Sequence, residues 1–355
     1  MRVLYDYQGF MQPHGGVSRY FAEIIRAMSR LEGFQALLPT YYTDNQYVEK
    51  RRIFITRRTF KGKVRVMAAL NRRIAIRSLR SDYDLFHPTY FHPYFLGRAR
   101  APFILTVHDL AHHVFTGKHL RDDGTRSNME LLCRRAVAIV AVSYATKHDL
   151  CSLIGVPEEK VTVVHHATDL CYDGAVRMHP RRYILYVGER GGYKNFLFFL
   201  ESVAGLLKGL HLDLLCAGSR PFSGEEDAAA NRGSVRSLVR TVHVTTASEL
   251  ASLYHYADAF CYPSLHEGFG IPLLEAFSCR CPVVASSIPP FREVAGDAAE
   301  YFDPRNAASI TSALENVLKS PRRASELARA GQERLSLFSW DAAARKTLAV
   351  YQAAL

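Results

Sequence analysis

Short apolar runs alternate with helical ones along this chain, and the alternation starts afresh halfway. Arg2–Asp6, Asp84–His87, Phe103–His108, Ala136–Val142 and Lys160–His165 are brief and mostly apolar. Between several of them lie helical segments: Val17–Leu31, a stretch around Glu130, and Ala145–Ile154. Strands that are apolar on both faces and separated by helices fit a parallel sheet covered on both sides. The stretch His166–Arg182, polar and broken by Gly174 and Pro180, interrupts the rhythm. The strands Tyr183–Val187, Leu212–Ala217, Val242–Val244, Ala259–Tyr262 and Pro282–Ala285 then follow, with helices at Asn195–Lys208, Ser248–Ala257, from Pro272, near 306–318 and 321–336, and at Trp340–Ala354.

With 355 residues there is room for two domains of about 150 residues each. The expected division is a first domain over 1–168, a linker over 169–181, a second domain over 182–338 and a terminal helix over 339–355. Two doubly wound α/β domains in tandem place a ligand in the cleft between them, at the C-terminal edges of the strands. Apolar residues make up 48% and charged residues 22%, a globular composition that excludes a disordered or fibrous chain. No apolar run reaches the ~20 residues of a bilayer-spanning helix. The opening MRVLYDYQGF has no export leader, so a cytosolic chain is expected. Seven scattered cysteines show neither CxxC pairs nor finger spacing, so neither a disulfide framework nor a metal site is expected.

The net charge of +11 comes from one place. Lys50–Ser81 holds twelve Lys or Arg and no acid, and the rest of the chain is close to neutral. Within it Gly62–Arg80 reads as a helix, with Val66, Leu70 and Ile74 in an i, i+4, i+8 row beside Met67 and with Arg65, Arg72, Arg73, Arg77 and Arg80 around it. This pattern suits an anionic membrane surface or a polyanionic acceptor, at the inner face of the cytoplasmic membrane. The plainer reading is a solvated helix whose apolar row packs on its own domain. Nucleic-acid binding is not expected, because no aromatic residues interleave and no nucleic-acid module is recognisable.

The most informative stretch is Tyr262-Pro-Ser-Leu-His-Glu-Gly-Phe-Gly-Ile-Pro-Leu-Leu-Glu275. A strand ends, a loop follows, and Pro272 suits the first turn of a helix. Gly268, Phe269, Gly270 and Ile271 then lie at the helix N-terminus, where backbone amides and the helix dipole favour an anion. Glu267 and Glu275 bracket the turn. Carboxylates do not bind phosphate, so their partners are hydroxyls, as with the acid that grips a ribose in dinucleotide folds. The stretch Val187-Gly-Glu-Arg-Gly-Gly-Tyr-Lys-Asn195 follows the strand Tyr183–Val187 and contains Arg190 and Lys194. In the first half Gly15-Gly16 opens a helix after the first strand. His108 ends another strand in Thr106-Val-His-Asp109, where Asp109 is placed to orient its ring. Further histidines (His87, His92, His112, His113, His165, His166) cluster at strand ends.

The run His266–Ala276 has the form HEGFGxPxxEA, with PVVAS downstream at Pro282–Ser286, and so resembles the retaining glycosyltransferases of family 4, which have the GT-B fold. The resemblance implies two Rossmann-like domains facing across a cleft, with the C-terminal helix crossing back to the first. It implies a hexose, mannose first, moved from a nucleotide sugar to a glycan or lipid-linked acceptor in cell-surface polysaccharide or lipopolysaccharide synthesis. GDP-mannose is the favoured donor and a UDP-sugar the alternative, with no metal or other cofactor. Glu275 would hold the ribose, Glu267 and His108 the donor sugar, Arg190 and Lys194 the diphosphate, and Gly15 and Gly16 the donor phosphates or the acceptor. Arg190 and Lys194 are four residues apart, closer than in many relatives. A non-catalytic sugar-nucleotide or glycan-binding protein on the same fold is the other reading.

Overall fold

The computed structural model describes residues 1–13, 15–48, 60–115, 123–218 and 220–355. The chain forms two compact units. One contains Met1–Val114, Asp122–His166 and Ser339–Leu355, the other Phe115–Arg121 and Ala167–Phe338. The stretch read as a linker thus belongs to the second unit, and the terminal helix to the first.

In the first unit the chain runs β1 (Arg2–Tyr5), α1 (Gly16–Met28), β2 (Gln35–Leu37), α2 (Lys63–Ser78), β3 (Leu85–His87), β4 (Ile104–Val107), α3 (Ala111–Val114), α4 (Thr125–Arg135), β5 (Ala138–Ala141), α5 (Tyr144–Asp149) and β6 (Val161–Val163). The strands pair in parallel as β2-β1-β3 and β4-β5-β6, and a bridge from Phe86 to Phe103 joins the two sets. β3 and β4 are buried along their length, including the polar His87 and Thr106. β2 was not foreseen. As Gln-Ala-Leu at the sheet edge it has no apolar run to announce it.

Helix α2 packs differently from the expected row. Met67, Asn71, Ala75 and Leu79 face inward and are buried, whereas Val66 is exposed and Leu70 and Ile74 are only half-buried. Asn71 decides the rotation. Its amide oxygen accepts the Tyr41 and Tyr42 N–H groups at 3.3 and 3.1 Å, and its nitrogen donates to the Tyr42 carbonyl at 2.6 Å. Residues 50–59 of the basic segment lie outside the described residues.

A polar network ties the C-terminal helix (Trp340–Ala353) to this sheet. The Tyr351 hydroxyl lies 2.8 Å from that of Tyr5 on β1 and 2.7 Å from His87 Nδ1 on β3, and His87 Nε2 lies 3.0 Å from Thr106 Oγ1 on β4. Every member is buried. Nearby, His108 and His166 stack 5.5 Å apart, with the Tyr20 ring edge-on to both.

The second unit runs β7 (Tyr183–Val187), α6 (Phe196–Leu210), β8 (Asp213–Ala217), α7 (Gly224–Arg232), β9 (Val239–Val242), α8 (Ala247–His255), β10 (Ala259–Tyr262), α9 (Ile271–Ser278), β11 (Val283–Ser286), α10 (Pro289–Ala295), β12 (Ala299–Phe302), α11 (Ala307–Leu318) and α12 (Pro321–Leu335). Its sheet is parallel, in the order β12-β11-β10-β7-β8-β9. Phe196, Phe199, Val203 and Leu207 of α6 pack with Ile184, Leu214 and Cys216 of the sheet. β9 lies earlier than the expected Val242–Val244, because Val239–Val242 is the segment that pairs with β8. Helix α7 is polar in sequence. It is set by a capping box, with Glu226 N–H donating to Ser223 Oγ and Ser223 N–H donating to the Glu226 carboxylate. No helix among the described residues is long and apolar enough to cross a membrane.

Burial holds the His87 and His108 rings neutral, lowering their pKa values from 6.5 to about 3 and about 4. The unfolded chain takes protons at these rings near pH 6.5, whereas the folded chain resists until pH 3 to 4. The stabilisation they contribute is therefore whole above pH 6.5 and falls away as the pH drops towards 4. Urea unfolding at pH 5 compared with pH 7.5 should show the first unit destabilised by about 1–2 kcal/mol per ring. His87→Gln should flatten part of that dependence.

Candidate active site

The sheet order of the second unit reverses between β10 and β7. From β7 the chain winds outward to β8 and β9, and from β10 it winds the opposite way to β11 and β12. Loops leaving the C-terminal ends of β7 and β10 diverge there, and such a switch point is where open parallel sheets bind ligands. Both motifs sit in these two loops.

After β10, Ser264–Gly270 leads into α9. Gly270 caps that helix at φ 105°, a backbone conformation that suits glycine, and a Cβ there would lie 3.0 Å from the Phe291 ring. Pro272 occupies the first turn as expected, and Ile271 begins the helix half-buried. Gly268 and Phe269 are buried, Phe269 with its ring edge-on to Phe338 at 5.8 Å. Glu275 projects from the second turn, buried, and accepts the Tyr254 hydroxyl at 3.0 Å.

Glu267 is the meeting point of the two loops. Its Oε1 accepts Lys194 Nζ at 2.7 Å and Ser264 Oγ at 2.8 Å, and the carboxylate is near enough to the buried Tyr262 hydroxyl to raise its pKa. Burial and the adjacent carboxylates push the pKa values of Tyr254 and Tyr262 well up, so both stay protonated donors at neutral pH. Lys194 ends a tight turn, Gly192–Lys194, held by the Leu265 N–H donating to the Tyr193 carbonyl at 2.8 Å. The next residue, Asn195, has φ 60° and anchors itself by donating to the Pro304 carbonyl. Beside the pair, the Tyr193 ring stacks with Phe115 at 5.6 Å. His266 meets Phe115 edge-on, and its buried Nε2 has no hydrogen-bond partner among the described residues.

Arg190 is committed elsewhere, contrary to the expectation of a cation free to meet a diphosphate. Its Nε donates to Glu226 at 2.9 Å, its Nη2 donates to the carbonyls of Arg220 and Pro221, and its guanidinium lies against the rings of Phe196 and Phe222, 5.6 and 4.9 Å from their centroids. The group is buried, and these bonds fix the β8–α7 loop. Lys194 is thus the cation that the fold brings to Glu267.

The remaining candidates belong to the first unit. Gly15 and Gly16 stand at the N-terminus of α1. His108 follows β4, and its buried Nε2 lacks a hydrogen-bond partner among the described residues. Asp109 does not take the orienting role expected of it. Its carboxylate accepts the Ala111 N–H at 2.9 Å and starts α3, and it acts on His108 only through its charge. Of the other strand-end histidines, His87 belongs to the buried network, His113 pairs with Glu130 at 3.2 Å, and His165 meets Tyr144 edge-on. Among the described residues no three His, Cys, Asp or Glu side chains group as metal ligands.

The sequence reading missed Tyr254, Tyr262, Ser264 and Glu226. Tyr262 and Ser264 lie inside the motif and were available to it. Tyr254 is 21 residues before Glu275 on another helix, with nothing local to mark it. Glu226→Ala should leave the Arg190 charge buried and unpaired, destabilising the second unit by about 3–5 kcal/mol. Glu226→Gln should recover part of that loss in a thermal melt.

Comparison with known proteins bears on both units. The model for Glycosyltransferase Family 4 matches residues 14–172, and that for Glycosyl transferases group 1 matches residues 176–334. The O-antigen chain mannosyltransferase RfbU of Salmonella typhimurium is 28% identical over 61% of this chain and 61% of its own length. The O-antigen chain mannosyltransferase B of Escherichia coli is 23% identical over 99% of this chain and 100% of its own. In three dimensions, Anabaena HepE, solved in complex with UDP and glucose, superimposes with a TM-score of 0.73 at 17% identity, covering 99% of this chain and 100% of that one. Two family models meeting end to end across a pair of parallel-sheet units leave one assignment: the chain belongs to the family 4 glycosyltransferases of GT-B fold.

Proposed function

We propose that this enzyme moves a hexose from a nucleoside diphosphate sugar to a hydroxyl of a glycan or lipid-linked glycan, with retention at the anomeric carbon, in the assembly of a cell-surface polysaccharide. The observation that carries this reading is the Lys194–Glu267 pair, whose Glu267 lies on the loop that leads into α9, the helix that carries buried Glu275. Glu275, held by Tyr254, accepts hydrogen bonds from the ribose hydroxyls. The amides of Gly268, Phe269, Gly270 and Ile271 face the phosphates. Before donor binds, Lys194 is neutralised by Glu267. A diphosphate offers Lys194 a stronger anionic partner and leaves Glu267 for the hydroxyls of the sugar.

In the reaction the bond from anomeric carbon to phosphate oxygen breaks and the acceptor oxygen takes its place on the same face. The acceptor proton passes to a phosphate oxygen. Negative charge grows on the leaving diphosphate, and Lys194 with the helix amides stabilises it. The chain's own residues supply this neutralisation without a cofactor. His108, Gly15 and Gly16 of the first unit serve the same reaction, His108 through its open Nε2 towards a sugar hydroxyl. Arg190 contributes indirectly, by holding the β8–α7 loop.

The donor we favour is GDP-mannose, in line with the two mannosyltransferase relatives, while the UDP and glucose in HepE support a UDP-sugar as the second reading. Catalysis takes place in the cytoplasm, at the inner face of the membrane.

Thermal-shift titration with GDP-mannose, UDP-glucose and dTDP-glucose should single out the GDP-sugar. Stabilisation by none of the three would remove the reading. Glu275→Gln should weaken donor binding, and Lys194→Ala should lower turnover about 10²–10³-fold, the usual effect of losing one charge-stabilising group. Full turnover in the Lys194 variant contradicts the charge argument.

A further inference from the structure

Each member of the ion pair is preceded by a ring, and both rings meet a third. Tyr193 comes immediately before Lys194, and His266 immediately before Glu267. The Phe115 ring stacks with that of Tyr193 at 5.6 Å and 13°, and it meets that of His266 edge-on at 6.0 Å. Aromatic pairs attract one another at such separations and angles. All three residues are half-buried, and Phe115 lies far from both motifs in the sequence.

Tyr193 also reaches the cation. Lys194 Nζ lies 4.9 Å from the centroid of its ring, within the range at which the negative face of an aromatic ring attracts an ammonium. The Tyr193 backbone is fastened to the other loop, since its carbonyl accepts the Leu265 N–H at 2.8 Å. Two consecutive residues of the β10 loop thus lean on the β7 loop, Leu265 through the backbone and His266 by way of Phe115. In the resting protein the Glu267 carboxylate directs the end of the flexible Lys194 stem. During the transfer proposed above Glu267 turns to the sugar, and that direction is lost. The Tyr193 ring carries no net charge, so its hold on the ammonium does not depend on Glu267.

We infer that Phe115 and Tyr193 are positioning residues of this reaction. Tyr193 keeps the Lys194 ammonium aimed while it changes partner, and Phe115 seats the Tyr193 and His266 rings so that both loops hold one arrangement. The inference rests on the role proposed for Lys194 and extends it, because both rings act through that lysine.

The assay is release of nucleoside diphosphate from GDP-mannose, and in parallel from UDP-glucose, with water in place of the acceptor. Tyr193→Leu and Phe115→Leu should each lower kcat about fivefold, the usual worth of one such contact. Donor KM should stay within about twofold, since the charge that Lys194 meets grows only as the bond breaks. Tyr193→Phe keeps the ring face and should recover most of the loss. In a Lys194→Ala background the two leucine variants should have no further effect. Thermal melts show which variants are folded, and should Tyr193→Leu not fold, Phe115→Leu carries the same comparison. Full kcat in a folded leucine variant overturns the inference, as does an equal loss with and without Lys194. Loss of turnover in Lys194→Ala beside unchanged leucine variants sinks the positioning by the rings alone, whereas full turnover in Lys194→Ala sinks the role of the lysine and the inference with it.

Discussion

One ammonium and one carboxylate, 2.7 Å apart and 73 positions apart in the chain, join the two loops that leave the switch point of the second unit's sheet. Neither loop is regular in itself. The first turns through Gly192–Lys194 and Asn195, the second through Ser264–Gly270. The contact between Lys194 and Glu267 is possible because β7 and β10 are neighbours whose onward crossovers leave in opposite directions. Ser264 donates a second hydrogen bond to the same carboxylate oxygen. A half-buried ion pair of this kind is tolerable only while both charges are compensated.

The first unit solves a different problem. Its sheet ends in side chains that are polar and wholly enclosed: Tyr5, His87 and Thr106 on three adjacent strands. Tyr351, from the far end of the chain, satisfies two of them at once. The C-terminal helix is thus part of the first unit's interior, although the whole second unit intervenes in sequence. Buried polar groups without partners cost far more than the net value of their bonds, so this network specifies where the helix must sit.

Arg190 and Lys194 show how two basic residues four positions apart take different places in the fold. Arg190 is drawn in by Glu226, two carbonyls and two aromatic rings, and becomes part of the scaffold. Lys194, on a tight turn at the strand end, keeps its charge at the loop junction. A guanidinium with donors in a planar fork suits several fixed acceptors, and an ammonium on a flexible stem suits exchange.

By itself the sequence determined the class of fold, because short strands apolar on both faces can only be buried in a helix-covered parallel sheet. It also determined the two glutamates and the helix start between them, since the glycine, proline and acid positions are local properties. What it left undecided was every matter of rotation and partnership. The face that α2 turns inward was settled by Asn71 finding the backbone at Tyr41–Tyr42, and the allegiance of Arg190 by Glu226, 36 residues away. The edge strands β2 and β12 form because a neighbour offers them hydrogen bonds, not because their own residues demand it. Such choices belong to tertiary structure, since a side chain's partner is selected by what the fold brings within about 3 Å of it, and local pattern holds no record of that distance.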